Sequence, residues 1–187
     1  MRKGAKSAVL LALLFLAGLA LLLYPLVSSR YNARRSAALI EDYTAAVADT
    51  PQENYSAWFA AADAYNASLT GKDVPDAFAA ITDEESANYL AQLAFDPDGV
   101  MGYISIPKIA VSLPIYHGTT PATLEKGAGH LEGSALPVGG AGTHCVISAH
   151  RGLPSAAMFT DLDQLALGDH FYIYVLDRVL AYEVDQI

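Results

Sequence analysis

The chain has 187 residues, a formal net charge of −9 at pH 7 and a single cysteine. One cysteine excludes a disulfide framework and a cysteine-based zinc site. All 20 acidic residues lie beyond position 35, together with only five of the 11 basic residues, so residues 36–187 carry a formal charge of −15. This excess of acid argues against a broad surface for nucleic acid or an anionic membrane.

The N-terminal part contains a long apolar run. No charged residue occurs from Ser7 to Ser29, and about 20 apolar residues in a helix span the roughly 30 Å hydrocarbon core of a bilayer. We predict a cytoplasmic N-terminus over residues 1–6 and a transmembrane anchor over residues 7–29. The alternative is a cleaved signal peptide, whose apolar region is typically shorter, about 7–15 residues. Basic residues flank both ends of the run, so the positive-inside rule leaves its orientation open.

Residues 30–98 are predicted to form a helical region. Its first part, residues 30–48, is rich in alanine and continues the helix of the anchor. Two capping boxes predict further helix starts, TPQE at Thr50 and TDEE at Thr82, because in each a threonine is followed three residues later by a glutamate. Between these two helices we predict a loop over about residues 71–81.

From about residue 99 the chain changes to short β-branched and aromatic runs separated by glycine and proline, a pattern typical of strands. FTDLDQLALGD is expected to form a helical turn or two, and Asp177-Arg178 a hairpin connection. Residues 99–187 are therefore predicted to be a mostly β domain, with a closed barrel favoured over a sandwich. The predicted strands are MGYISI, VSLPIY, THCVISA, HFYIYVL and VLAYEVDQI.

The last of these strands ends abruptly. The chain stops at Ile187 inside the strand pattern, with no turn, cap or polar tail. A barrel that stops there has an unpaired edge. We therefore expect a truncated chain whose barrel is incomplete and which is poorly stable on its own.

The segment THCVISAHRG contains Cys145 and His150, the residue types of a thiol enzyme. If the segment is a strand, five residues at about 3.3 Å each place the two side chains roughly 16 Å apart and on opposite faces. A nucleophile and its base must approach to about 3 Å. Cys145 is therefore predicted to be a core residue. His150, at a strand end before a loop with Gly and Pro, is a candidate functional residue, and the alternative is an ordinary surface or capping histidine.

The other four histidines are weaker candidates. None forms a pair with metal-ligand spacing on one element, and the glycine-rich segments match neither a P-loop nor a dinucleotide-binding fingerprint. We therefore predict no metal site and no cofactor. The glycines around His130 indicate close backbone packing. The four residues are His117, His130, His144 and His170.

Three segments occur in an order that is hard to reach by chance: GYISIPKIAVSLPIYHGT, GAGHLEGSALPVGG and THCVISAHRGLPSAAMFTDLDQLALGDHFYIYVL. Together they resemble the class C, pilin-assembling sortases over roughly residues 99–187. The resemblance implies an eight-stranded β-barrel, incomplete here because its last strands are missing, preceded by a transmembrane helix and a helical region. It also implies a membrane-anchored cysteine transpeptidase on the outer, wall-facing side of a Gram-positive cell.

Sortases cleave an LPXTG-like sorting signal between Thr and Gly through a thioacyl intermediate, and class C members transfer the acyl group to a pilin lysine. The resemblance thus implies pilin or surface proteins with such signals as partners. His150 in SAHRG matches the family's catalytic histidine, which protonates the leaving amine and deprotonates the incoming one. The family's Thr-Leu-X-Thr-Cys motif and its later arginine do not occur in the 187 residues. The chain alone is therefore expected to be inactive.

Class C sortases also resemble one another in a lid whose Asp-Pro-aromatic motif covers the active site. In VPDAFAA, Asp76 and Phe78 match the acid and the aromatic residue, whereas Ala77 replaces the proline. The aromatic ring would cover the thiol and the carboxylate would pair with the arginine. The missing proline leaves the loop less rigid. The alternative is a plain linker loop.

Two other functions stay open. One is a short, non-catalytic sortase that binds sorting signals or a sortase partner, although the abrupt end inside a strand counts against it. The other is a housekeeping sortase that anchors proteins to the cell wall. The long helical region with its lid-like loop favours class C over the housekeeping class.

Overall fold

The computed structural model describes residues 2–71 and 82–187. Within these ranges the helices are α1 (Arg2–Asp49), α2 (Gln52–Ser68), α3 (Asp83–Leu90) and α4 (Pro121–Leu124). The strands are β1 (Val100–Ile106), β2 (Val111–His117), β3 (Ala128–His130), β4 (Ile147–Ser148), β5 (His170–Val175) and β6 (Arg178–Glu183). Short 3-10 turns cover Pro107–Ile109 and Leu162–Gln164. The predicted continuation of the first helix over residues 30–48 is confirmed.

Helix α1 is unbroken over 48 residues, although it includes Pro25. Every residue from 6 to 27 is exposed, and this apolar part is suited by its length and composition to cross a membrane. The helix then continues into the folded domain, where Ser36, Tyr43 and Val47 are buried. A single helix thus joins the apolar segment to the domain without a linker.

The two predicted capping boxes have different outcomes. Thr82 caps α3 as predicted: its hydroxyl accepts from the Glu85 N–H, and the Glu85 carboxylate accepts from the Thr82 N–H at 3.2 Å. The box predicted at Thr50 is wrong. The Thr50 hydroxyl donates to the Ala46 carbonyl at 2.8 Å, so Thr50 closes α1, and α2 begins after Pro51 without a side-chain cap.

The described strands form one curled sheet in the order β4-β3-β2-β1-β5-β6. Strand β1 pairs antiparallel with both β2 and β5, β5 forms a hairpin with β6, and β3 runs parallel to β2. The sheet is therefore a half-barrel, with β4 and β6 at its two edges. This architecture confirms the partial β-barrel predicted for the C-terminal half of the chain.

Strand β3 is not predicted by the sequence pattern, because the residues Ala-Gly-His lack the β-branched and aromatic side chains typical of strands. Gly129 at its centre is required by space: a Cβ atom there would lie 2.3 Å from the carbonyl oxygen of Gly118. A side chain at that position would therefore push β3 away from β2. This close approach confirms the packing expected from the glycines around His130.

Strand β4 is shorter than predicted, since only Ile147 and Ser148 of THCVISA form regular strand. Val146, the residue before them, forms its hydrogen bonds with the turn that follows β3 instead of with a strand. The Val146 N–H donates to the Ser134 hydroxyl at 3.2 Å, and the Val146 carbonyl accepts from the Leu131 N–H at 3.0 Å. The turn that follows β3 therefore ends the regular ladder between β3 and β4.

Tyr43 attaches α1 to the sheet. Its side chain is 1% exposed, and its hydroxyl accepts from the Leu176 N–H at 2.8 Å and donates to the Met101 carbonyl at 3.2 Å. Its ring packs against Phe95 and Tyr103, with centroids 5.3 and 6.2 Å away. Burial raises the pKa of Tyr43 above its ordinary value, so the hydroxyl keeps its proton. Helix α1 is thereby fixed to β1 and to the end of β5.

Replacing Tyr43 with Phe keeps the ring but leaves the Leu176 N–H and the Met101 carbonyl without this partner. A buried polar group left unpaired costs about 1–3 kcal/mol, so Tyr43→Phe should lower the free energy of unfolding by that order. Denaturant titration in detergent micelles measures the change. Tyr31→Phe is the control, because Tyr31 lies on the same helix and is 68% exposed. Equal unfolding midpoints for the two variants would contradict the role given to the hydroxyl.

Candidate active site

A groove of about 660 Å³ lies against the sheet. Its walls come from β1, β4, β5 and β6 and from the segment between Phe159 and Leu165. The lining is mainly aliphatic and aromatic, and the rings of Phe171 and Tyr182 stack in it with centroids 5.1 Å apart. A concave, largely apolar site with a few polar groups is the usual form of a ligand site. The polar side chains in the lining are those of Thr143, His144, Cys145, Tyr182 and Asp185.

His150 lies two residues beyond β4 and is partly buried. Its carbonyl accepts a hydrogen bond from the Phe159 N–H at 3.1 Å, and Phe159 lines the groove. The backbone of His150 therefore lies next to a residue that lines the groove, while His150 itself is not a lining residue. The placement agrees with a titratable group at a strand end, whereas the chemical role of His150 stays a prediction.

Cys145 is partly buried in the groove wall, rather than fully buried in the core as predicted. Removal of water from around it raises the pKa of its thiol to about 12. The thiolate is the nucleophilic form of cysteine, and a pKa this high leaves almost no thiolate at neutral pH. Cys145 and His150 also lie at opposite ends of β4 along the chain. Cys145 thus lacks the low thiol pKa of an activated nucleophile.

The predicted lid residues, Asp76 and Phe78, lie in the segment 72–81, outside the described residues. The described chain reaches the neighbourhood of the groove just before that segment. Thr70 and Gly71, after α2, line a second hollow of about 490 Å³ together with Thr143, and Thr143 also lines the groove. The two hollows therefore share a wall.

A buried polar network links α3 to the sheet. The Tyr89 hydroxyl accepts from the Gly118 N–H at 2.9 Å and lies 3.0 Å from His130 Nδ1 and 2.9 Å from the His130 carbonyl oxygen. His130 Nε2 lies 2.8 Å from the Ala135 carbonyl oxygen. Tyr89 and His130 are both 0% exposed. The network therefore joins the helical region to β3 and to the end of β2.

These partners determine the protonation of His130. The Ala135 carbonyl can only accept, so Nε2 carries the hydrogen and Nδ1 has a free lone pair. The one hydrogen of the Tyr89 hydroxyl is donated to the His130 carbonyl oxygen, which lies beside Nδ1. Desolvation lowers the pKa of His130 to about 4, and the ring is neutral at pH 7. Burial also lowers the pKa of His117, whose Nε2 lies 2.7 Å from the Gln92 carbonyl oxygen. Both histidines therefore support the fold as neutral hydrogen-bonding groups.

His130 is not predicted to be a site residue, and nothing in the sequence pairs it with Tyr89. The two residues are 41 positions apart on different elements, and no local pattern connects them. The glycines on both sides of His130 were the available signal, because they indicate a position enclosed by backbone.

Comparison with known proteins identifies the fold. The family model described as "Sortase domain" matches residues 104–187. The crystal structure of sortase C1 from Streptococcus agalactiae has a TM-score of 0.74 and 44% sequence identity, and the match covers 79% of this chain and 75% of that one. The chain belongs to the sortase family.

Other sortases give the same result. Sortase C from Streptococcus pneumoniae has a TM-score of 0.68 and 42% identity, covering 80% of this chain and 74% of that one. Sortase A of Bacillus anthracis is 27% identical over 102 residues, which is 54% of this chain. This sortase chain spans about half, 47%, of the length of that curated relative. The high-identity structural neighbours are class C sortases, which confirms the resemblance found in the sequence.

The neutral state of His130 makes the stability of this sortase depend on pH. The His130 pKa is about 4 in the folded protein and about 6.5 in an unfolded chain, so the unfolded state binds the proton first as the pH falls. The contribution is fully present above about pH 6.5 and is lost between about pH 6.5 and 4, by roughly 3 kcal/mol in total. Denaturant titrations at pH 7 and at pH 4.5 measure this loss.

Two histidine variants distinguish the contribution of His130 to this pH dependence from that of other groups that titrate in the same range. His130→Asn should reduce the pH dependence of the unfolding free energy, whereas His170→Asn, at an exposed position, should leave it as in the wild type. If His130→Asn does not fold, NMR titration of the wild-type His130 ring gives the same information. A ring pKa near 6.5 in the folded protein would contradict this account.

The thiol of Cys145 should react slowly. A pKa near 12 instead of 9 leaves roughly a thousandfold less thiolate below pH 9. Iodoacetamide should therefore alkylate Cys145 about a thousandfold more slowly in the native protein than in the denatured chain, as measured by mass spectrometry. A second cysteine introduced by Ala141→Cys, at an exposed loop position, should react at the rate of a free thiol in the same sample. Fast native labelling of Cys145 would argue that this residue is activated after all.

Proposed function

We propose that this protein is a class C sortase that cleaves an LPXTG-like sorting signal through a cysteine thioacyl intermediate and transfers the acyl group to an amine, that of a pilin lysine. The observation that carries the proposal is the similarity to sortase C1 of Streptococcus agalactiae, at 44% identity over 75% of that chain. The similar sortase C of Streptococcus pneumoniae is described as having pilin substrate specificity. A protein similar to both over most of its length is expected to share their class of reaction.

The groove supports binding of an extended peptide. Its aliphatic and aromatic walls, which include Ile104, Phe171 and Tyr182, suit the leucine and proline side chains of such a signal, because burial of these side chains is favourable. His150, whose carbonyl accepts from the N–H of the groove-lining Phe159, is the proposed general acid and base. It would protonate the leaving amine and later deprotonate the incoming lysine, which requires an imidazole that water and substrate both reach.

In this proposal Cys145 is not the nucleophile. Cys145 is the single cysteine of the 187 residues, and the pKa of its thiol is raised to about 12. We assign the nucleophilic role to the cysteine of a Thr-Leu-X-Thr-Cys motif and oxyanion stabilisation to an arginine, neither of which is found in these residues. The 187-residue chain alone is therefore proposed to be inactive.

The same proposal places the protein at the cell membrane. Residues 7–29 of α1 form the anchor, and the β domain lies on the outer, wall-facing side, where it meets pilin or surface-protein substrates. Asp76 and Phe78 act as the lid over the groove. The position of Gly71, beside a hollow that shares a wall with the groove, supports a lid in the segment that follows.

The first test is to sequence the genomic DNA beyond the codon for Ile187. A reading frame that continues through a Thr-Leu-X-Thr-Cys motif and an arginine-bearing strand would support the proposed reaction. A stop codon with no such motif in the nearby frames would exclude catalysis by this protein. That result would leave a module that binds sorting signals without cleaving them.

The second test concerns His150. In a protein that carries the cysteine motif, His150→Ala should lower kcat/KM for transfer of an LPXTG peptide to an amine by about 10²–10⁴-fold. His170→Ala, at the exposed start of β5, is the control and should retain activity. The 187-residue chain assayed in parallel should show no transfer above the uncatalysed rate. Full activity of His150→Ala would remove His150 from the proposed mechanism.

A further inference from the structure

The apolar part of α1 and the β domain meet at one short segment of the helix. Residues 6–27 are exposed throughout, and partial burial begins at Ser28. The Asn32 side-chain amide donates to the Ser155 carbonyl at 2.8 Å, and the Ser28 hydroxyl lies 3.5 Å from the Pro154 carbonyl oxygen. The first part of the domain that α1 touches is therefore the loop after His150.

This loop, residues 151–158 and here called the His150 loop, has a defined shape. It is closed at its base by the bond from the Phe159 N–H to the His150 carbonyl at 3.1 Å. The Gly152 N–H donates to the Thr160 hydroxyl at 3.1 Å, and Arg151 pairs with Asp163 at 2.9 Å. Its later part packs inward, because Ala156 and Met158 are buried. The contacts with α1 therefore fix a structured loop rather than a free chain segment.

The position of Asn32 on α1 indicates how deep the His150 loop lies relative to the bilayer. Asn32 lies only three residues past Ser29, where the apolar run ends, a rise of about 4–5 Å along the axis. The headgroup layer on each side of a bilayer is about 5–7 Å thick. If α1 spans the membrane over residues 7–29, the Ser155 carbonyl bonded to Asn32 therefore lies at the level of the headgroups.

The charges at this corner of the domain differ from those elsewhere. Arg30, Arg34 and Arg35 are exposed on α1 at the same level, and the Arg151 side chain is 62% exposed on the loop. Tyr31, which is 68% exposed, adds an aromatic ring of the kind enriched at membrane interfaces. Residues 36–187 carry an overall excess of acid, which keeps other surfaces away from phosphate groups. Among the described residues, the surface around these arginines is therefore suited to phospholipid headgroups.

We propose that the His150 loop is a membrane-contacting surface, seated among the phospholipid headgroups of the bilayer that α1 enters. The inference rests on the membrane anchor of the proposed function, not on the transpeptidase reaction. It identifies the lipid surface as the partner of this loop.

Three single-cysteine variants test this surface in phospholipid nanodiscs that contain the full chain. In a Cys145→Ala background, an environment-sensitive fluorophore is attached at Leu16→Cys in the apolar run, at Pro154→Cys in the loop or at Asp177→Cys in the β5–β6 turn. Asp177 is the distant control. It follows Leu176, which bonds to Tyr43, about 16 Å further along α1 than Asn32. Lipids with a nitroxide on the headgroup serve as the quencher.

Strong quenching at Pro154→Cys, severalfold above that at Asp177→Cys, is the expected result. Equal weak quenching at both positions, together with a Leu16→Cys label in the hydrocarbon core, would overturn the inference while leaving the anchor intact. A Leu16→Cys label in water would overturn the anchor and this inference with it. Ala157→Cys, exposed at the end of the same loop, replaces Pro154→Cys if that variant does not fold.

Discussion

The hydroxyl of Tyr43 determines how the helical and β halves of this sortase fit together. Apolar burial holds α1 against the sheet, but the hydrophobic effect has no direction and leaves the rotation of a helix about its axis undetermined. The hydroxyl has one donor and one acceptor partner, Leu176 and Met101, on two different strands or their ends. Both bonds form at only one rotation and one height of the helix, so the position of every other α1 contact follows from them.

Buried polar side chains also attach the next two helices, α2 and α3, to the β half of the chain. Asn66 of α2 exchanges two hydrogen bonds with the backbone of Leu136, with its oxygen accepting at 2.7 Å and its amide donating at 3.3 Å. Tyr89 of α3 bridges the Gly118 N–H and His130. Helices α1, α2 and α3 thus each contribute a buried polar side chain that forms hydrogen bonds with backbone groups of the β half. Buried backbone groups need such partners, and here they come from helices rather than from neighbouring strands.

The elements with strong local signals could be predicted from the sequence. Strands β1, β2, β5 and β6 have β-branched and aromatic runs, and Thr82 with Glu85 forms a true capping box. Thr50 shows the limit of that signal, because the preceding helix offered its hydroxyl an acceptor at Ala46. Strand β3 could not be predicted, since its residues pair for reasons of space and not of propensity.

The candidate site was predictable to a similar degree. His150 is predicted as a site residue from its place at a strand end and from the family motif around it, and its carbonyl bonds to Phe159, which lines the groove. The polar network could not be predicted. The bond between Tyr89 and His130 joins residues 41 positions apart, and the buried bonds of Asn66 and Tyr43 join residues 70 and 133 positions apart. Only the folded chain brings such residues together. Cys145 and His150 lie on opposite sides of β4 along the chain, and no local pattern indicated that Cys145 would line the groove.

The continuity of α1 makes the two parts of this helix differ in their tolerance of insertions. One extra residue turns everything beyond it by about 100° and shifts it by about 1.5 Å. From residue 8 to residue 27 the helix has no charged residue and every residue is exposed, so a turned segment presents an equivalent apolar surface. Between Asn32 and Tyr43 the same insertion would break the bonds at one residue or the other. The number of residues between these two side chains is therefore fixed by the domain, whereas the length of the apolar segment is not, and in the proposed anchor it can follow the thickness of the bilayer.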